Sequence, residues 1–82
     1  MLTDKGVFFP KNEEEFENAL LVLYALFPKG SYQSNLKYTN NINLFWKKRE
    51  NILYVNTVVG VPLSSFTDLD FTLVTYELLL SL

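Results

Sequence analysis

Neither histidine nor cysteine occurs among the 82 residues. The first absence removes the side chain that most often moves protons near neutral pH. The second removes the thiol nucleophile and any disulfide. Together they take away the ligands of most zinc sites. Glycine is scarce as well: Gly6, Gly30 and Gly60 stand far apart, so no Gly-rich phosphate loop is present. The serine pair Ser64-Ser65 has no histidine to activate it and no lysine close in sequence. Long apolar runs are missing too. The longest, Ala19 to Phe27, falls well short of the roughly 20 residues that span a bilayer. The start, Met1-Leu2-Thr3-Asp4-Lys5-Gly6, lacks a basic-then-apolar leader pattern. The expectations are therefore no catalysis, no cofactor, no metal, no membrane partner, and the cytoplasm as default location.

What is present is apolar and aromatic residues, 49% and 16% of the chain. A domain this short buries a small share of its surface, and disulfides cannot assist it. An unusually apolar core, or apolar surface buried against a partner or a second copy, is the remaining route. The formal net charge of -2 hides a division. Glu13, Glu14, Glu15 and Glu17 crowd one segment, and Asp68, Asp70 and Glu77 another. Between them Lys37, Lys47, Lys48 and Arg49 face only Glu50.

The spacing predicts a helix over 13–27. Asn12 is a good N-cap with Glu15 three residues on, acids favour the helix N-terminus, and Phe16, Leu20, Leu23 and Phe27 recur at helical period. Pro28-Lys29-Gly30 ends it. Over 31–60 the period changes to two. Tyr32, Ser34, Leu36 and Tyr38 form one alternating set, and Ile42, Leu44 and Trp46 another, followed by the β-prone run Ile52 to Val59. Turns are expected at Asn40-Asn41 and Arg49-Glu50-Asn51. From 66 to 82, Phe66, Leu69, Leu73, Tyr76 and Leu80 favour a second helix. A strand through Phe71 to Tyr76 is the competing reading.

The expected fold is thus a two-layer α+β domain: helix, three-stranded antiparallel meander, helix, with both helices on one sheet face. Residues 12–82 form this single domain. Residues 1–11 form an irregular arm, with Val7-Phe8-Phe9 packing back or adding an edge strand. Double-stranded-RNA-binding domains share this element order, but Ser64 to Asp70 is acidic where such domains need cations. The comparison stops at topology.

Two surfaces follow from this reading. If Leu36, Tyr38, Leu44 and Trp46 face the core, alternation puts Lys37, Phe45, Lys47 and Arg49 on the other face, with Lys48 and Tyr54 alongside. Aromatics among cations suit either an acidic protein surface or single-stranded nucleic acid. The second helix carries surplus apolar residues, and Leu73, Tyr76, Leu78 and Leu80 are the candidates for self-association. The four glutamates fan around their helix, so they cannot converge on one ion. The expected function is a non-catalytic binding protein, an inhibitor or adaptor acting by protein–protein contact, with nucleic-acid binding as the alternative. A composition rich in Asn, Lys, Tyr, Phe and Leu fits an AT-rich source such as a phage or mobile element.

Overall fold

In the computed structural model, which describes residues 2–82, the fold is α+β and is built on a five-stranded mixed sheet. In chain order the elements are β1 (Lys5–Phe8), α1 (Glu13–Leu26), β2 (Ser31–Tyr32), β3 (Ile42–Arg49), β4 (Ile52–Val59), α2 (Leu63–Thr67), β5 (Thr72–Leu73) and α3 (Tyr76–Leu80). Strand order is β2-β4-β3-β1-β5.

Helix α1 starts where its cap chemistry puts it. The Asn12 side-chain oxygen accepts from the Glu15 amide at 2.9 Å, and the Glu15 carboxylate accepts from the Lys11 amide at 3.1 Å. That second bond reaches one residue beyond the reciprocal capping-box partner. Asn12→Ala leaves the Glu15 amide without its partner and should cost about 1 kcal/mol, read as a lower urea midpoint with unchanged slope. Phe16, Ala19, Leu20 and Leu23 then bury one stripe of α1 against Leu44, Trp46, Leu53 and Val55.

The β3–β4 hairpin turns on Glu50 and Asn51, whose φ angles of 53° and 67° match the twist of the flanking strands. Its register puts Trp46 opposite Val55 and Lys47 opposite Tyr54.

Elsewhere the structure departs from the expected meander. Of the expected arm, Met1 lies outside the described residues, while residues 5–8 form an interior strand, antiparallel to β3 and parallel to β5. Gly6 makes this placement work. It lies opposite Trp46, and a Cβ there would overlap the indole ring. The expected first strand shrinks to Ser31–Tyr32, which runs parallel to β4. Gln33 takes over from it. Its amide donates to the Val55 carbonyl at 3.0 Å, and its side-chain oxygen accepts from the Thr57 amide at 2.8 Å. Asn35, at φ 62°, then turns the chain away, so Leu36 and Tyr38 reach the core from a loop.

The expected helix over 66–82 is three elements instead. Asp70 adopts φ 67°, the Phe71 amide donates to the Phe66 carbonyl, and the Asp70 amide donates to the Thr67 carbonyl, both at 3.0 Å. Phe66 and Phe71 meet edge to face at 5.6 Å. These are the bonds and the apolar contact of a Schellman stop, which ends α2 after one turn. Residues 72–73 then pair with β1, and Thr75 caps α3 by accepting from the Leu78 amide at 3.2 Å.

The helices also divide between the two sheet faces. α1 and α3 share one, joined by the Asn18 amide donating to the Tyr76 hydroxyl at 2.9 Å. α2 covers the other. Gly60, at φ 77°, turns the chain there, and the buried Asn43 amide donates to the Val61 carbonyl at 2.9 Å, holding the crossing segment. Phe66 packs against Phe9 at 6.1 Å and Phe45 at 5.5 Å, giving a second, smaller apolar cluster.

Candidate functional site

Alternation along β3 fixes where its cations point. Trp46 is fully buried towards α1, so Phe45, Lys47 and Arg49 lie on the α2 face. Cross-strand register then completes the row. Lys47 stands between Lys5 of β1 and Tyr54 of β4, and Arg49 stands opposite Ile52. Lys47 and Arg49 are exposed, and Tyr54 and Ile52 keep 39% and 41% of their surface open. The end of the sheet nearest the hairpin turn thus presents three cations around one aromatic and one aliphatic side chain.

Lys5 is anchored from behind. Its ammonium donates to the Leu69 carbonyl and sits 4.8 Å from the centre of the Phe71 ring. The carbonyl and the ring face soften the opposition of two lysines in register, which otherwise weakens a sheet. The sequence reading missed Lys5. Its signal was the period-two run Lys5, Val7, Phe9 against Gly6, Phe8, partly hidden because a glycine occupied a core-facing position.

The remaining predicted residues separate. Phe45 is covered, 5.5 Å from Phe66 and 5.9 Å from Phe71, and stands under α2 rather than open among the cations. Lys37 is in the loop after β2, beside Glu13 and Glu17 at the start of α1. Lys48 is exposed but points to the opposite side from Lys47, and its amide donates to the Asp4 carbonyl at 2.7 Å. Of the six residues, Lys47, Arg49 and Tyr54 share one surface.

The apolar set of the second helix is dispersed too. Leu73 belongs to the edge strand β5. Tyr76 is half-buried, stacked on Phe8 at 6.0 Å and bonded to Asn18, so it ties α3 to the body. Leu78 and Leu80 are exposed, but residues two apart on a helix diverge, and Leu79 between them fills the core.

Burial raises the Tyr32 hydroxyl above its ordinary value, and nearby Tyr24 adds to the rise. The hydroxyl lies 2.9 Å and 2.8 Å from the Leu23 and Phe27 carbonyls, to which it donates as the neutral form. The group therefore closes the end of α1, a structural task. Among the described residues no three carboxylates gather to hold a metal ion, and no helix is long and apolar enough to cross a membrane.

Compared with known proteins, the chain matches no family model, and no curated protein or solved structure matches it. The fold and the surface define a small α+β domain with a cationic, partly apolar sheet end.

Proposed function

We propose that this chain is a non-catalytic binding protein that docks on an acidic patch of another protein through the hairpin end of its sheet. The observation that supports this most is the row Lys5, Lys47, Tyr54 across three strands, with Arg49 and Ile52 beside it. Cations in register weaken a sheet in isolation, whereas opposite a carboxylate-rich surface they speed encounter and fix orientation. Tyr54 and Ile52 supply apolar contact at the centre, the usual location of binding energy. Occlusion of a partner's surface, as an inhibitor or adaptor performs it, needs no chemistry from the chain. A phage or mobile-element source, expected from composition, would direct such an inhibitor at a host enzyme or defence system.

Single-stranded nucleic acid is less well supported. Stacking platforms need several open aromatic rings, and α2 covers Phe45, leaving Tyr54. The test is affinity capture from source cells with the wild-type chain and with Lys47→Glu/Arg49→Glu, both confirmed folded by circular dichroism. A specific partner whose retention falls at least about tenfold in the double variant is expected. An unchanged set of captured proteins overturns the reading. Retention of a single-stranded oligonucleotide, lost steeply with salt, transfers the surface to nucleic acid.

A further inference from the structure

Lys5 differs from the other two cations of the row. Lys47 and Arg49 are exposed, whereas Lys5 is half-buried where the open sheet end meets the rings under α2. Its ammonium donates to the Leu69 carbonyl and lies 4.8 Å from the centre of the Phe71 ring. That carbonyl belongs to the turn that stops α2, where acceptors lack a helical partner. Phe71 in turn meets Phe45 at 5.9 Å and Phe66 at 5.6 Å, so the ring that touches Lys5 is itself fixed. An ammonium group has three donors, and the Leu69 carbonyl takes one of them. Exposed acids border the row. Asp68 and Asp70 flank Leu69 on the Lys5 side, and Glu50 follows Arg49 in the hairpin turn.

We infer that Lys5 is the anchor of the docking row, with Phe71 as its positioning residue: the pinned ammonium holds a carboxylate of the partner protein, while Lys47 and Arg49 attract and orient it. The inference rests on the docking reading above and divides the work among its cations. A free lysine chain gives up its rotamer freedom when it binds, and Lys5 has already lost much of that freedom on folding. A half-buried charge is also screened less by salt and water than an exposed one. Charges at an open rim act mainly on the rate of encounter, whereas a partly desolvated, hydrogen-bonded charge acts on the rate of dissociation. The bordering acids narrow the choice of partner. Asp68, Asp70 and Glu50 repel a broad acidic surface, so the carboxylates that fit stand on a narrow ridge over Lys5 and Lys47.

Immobilised poly-L-glutamate is the probe, and surface plasmon resonance reads the on- and off-rates of the full chain at several salt concentrations. Lys5→Gln is expected to raise the off-rate at least about tenfold with little change in on-rate. Lys47→Gln/Arg49→Gln is expected to lower the on-rate and flatten its salt dependence. Phe71→Leu keeps apolar bulk under α2; it is expected to raise the off-rate by itself and to add little in the Lys5→Gln background. A second measurement needs no substitution. In nuclear magnetic resonance spectra of the wild type, the Lys5 ammonium protons are expected to exchange slowly and to carry a ring-current shift from Phe71, unlike those of Lys47. A Lys5→Gln chain that loses stability in urea but keeps its off-rate makes Lys5 a structural cap of α2 and overturns the inference. So does an equal off-rate change in Lys47→Gln/Arg49→Gln, a Phe71→Leu effect additive with Lys5→Gln, or a Lys5 ammonium that exchanges as fast as that of Lys47. A wild-type chain that ignores polyglutamate overturns it too. The docking reading fails by a different result, capture from source cells that is indifferent to Lys47→Glu/Arg49→Glu.

Discussion

Trp46→Ala is expected to lose about 3–5 kcal/mol of stability, a large part of the roughly 5–15 kcal/mol typical of a folded domain. Trp46 is fully buried in the middle strand of the sheet, under α1 and beside β1. Truncation leaves a cavity that the surrounding strands cannot close without giving up their ladder bonds. It also frees the Thr3 carbonyl, which accepts from the indole nitrogen at 3.1 Å. Far-UV circular dichroism in urea is the measurement to use, since Trp46 is the sole tryptophan and its fluorescence disappears with it. A midpoint within experimental error of the wild type would show that the indole is not the centre of the core. The same site can be probed from the other strand. Gly6→Ala drives a methyl group into the indole, and an overpacking cost of about 1–3 kcal/mol is expected.

Phe66→Ala acts on the opposite face and should behave differently. Phe66 is 5% exposed and meets three rings, those of Phe9, Phe45 and Phe71. A loss of about 3 kcal/mol or more follows from the ring's removal, with the damage concentrated in α2. That helix has five residues, too few to persist without tertiary contact, and its Schellman stop relies on the Phe66–Phe71 contact. Hydrogen exchange is therefore expected to accelerate first at the amides of residues 68–71. The β3–β4 amides should keep their protection relative to global unfolding. Uniform loss across the sheet would mean instead that the two faces unfold as one unit. Uncovering Phe45 also restores the open aromatic that the sequence suggested, so this variant should bind single-stranded oligonucleotide better if exposure of that ring is what limits such binding.

The elements legible in the chain are those whose signal is local. The cap at Asn12, the acids of the first turn and the Phe16, Leu20, Leu23 stripe lie within one helix length and specify α1 together. The hairpin is similar. Glu50-Asn51 and the alternation either side of it set the register that brings Lys47 beside Tyr54. Two of the three cations on the sheet end, and its exposed tyrosine, were therefore readable in advance.

What only the tertiary structure decided depends on partners distant in sequence. β1 is four residues long and its alternation is broken by a glycine at a core-facing position, so its local signal extends no further than an edge strand. It becomes an interior one because Gly6 leaves space for a ring forty positions away. That pairing also brings Lys5 opposite Lys47, into the cationic row. Leu69, Leu73, Tyr76 and Leu80 keep helical spacing, yet Asp70 turns left-handed because the Phe66–Phe71 contact and the pairing of residues 72–73 with β1 outweigh local helix propensity. The division of the helices between two faces, which covers Phe45, follows from the crossing at Gly60 and the bond from Asn43 to Val61. Periodicity shows which side of each element is apolar. Which apolar side meets which is settled only when the whole chain competes for the same buried surface.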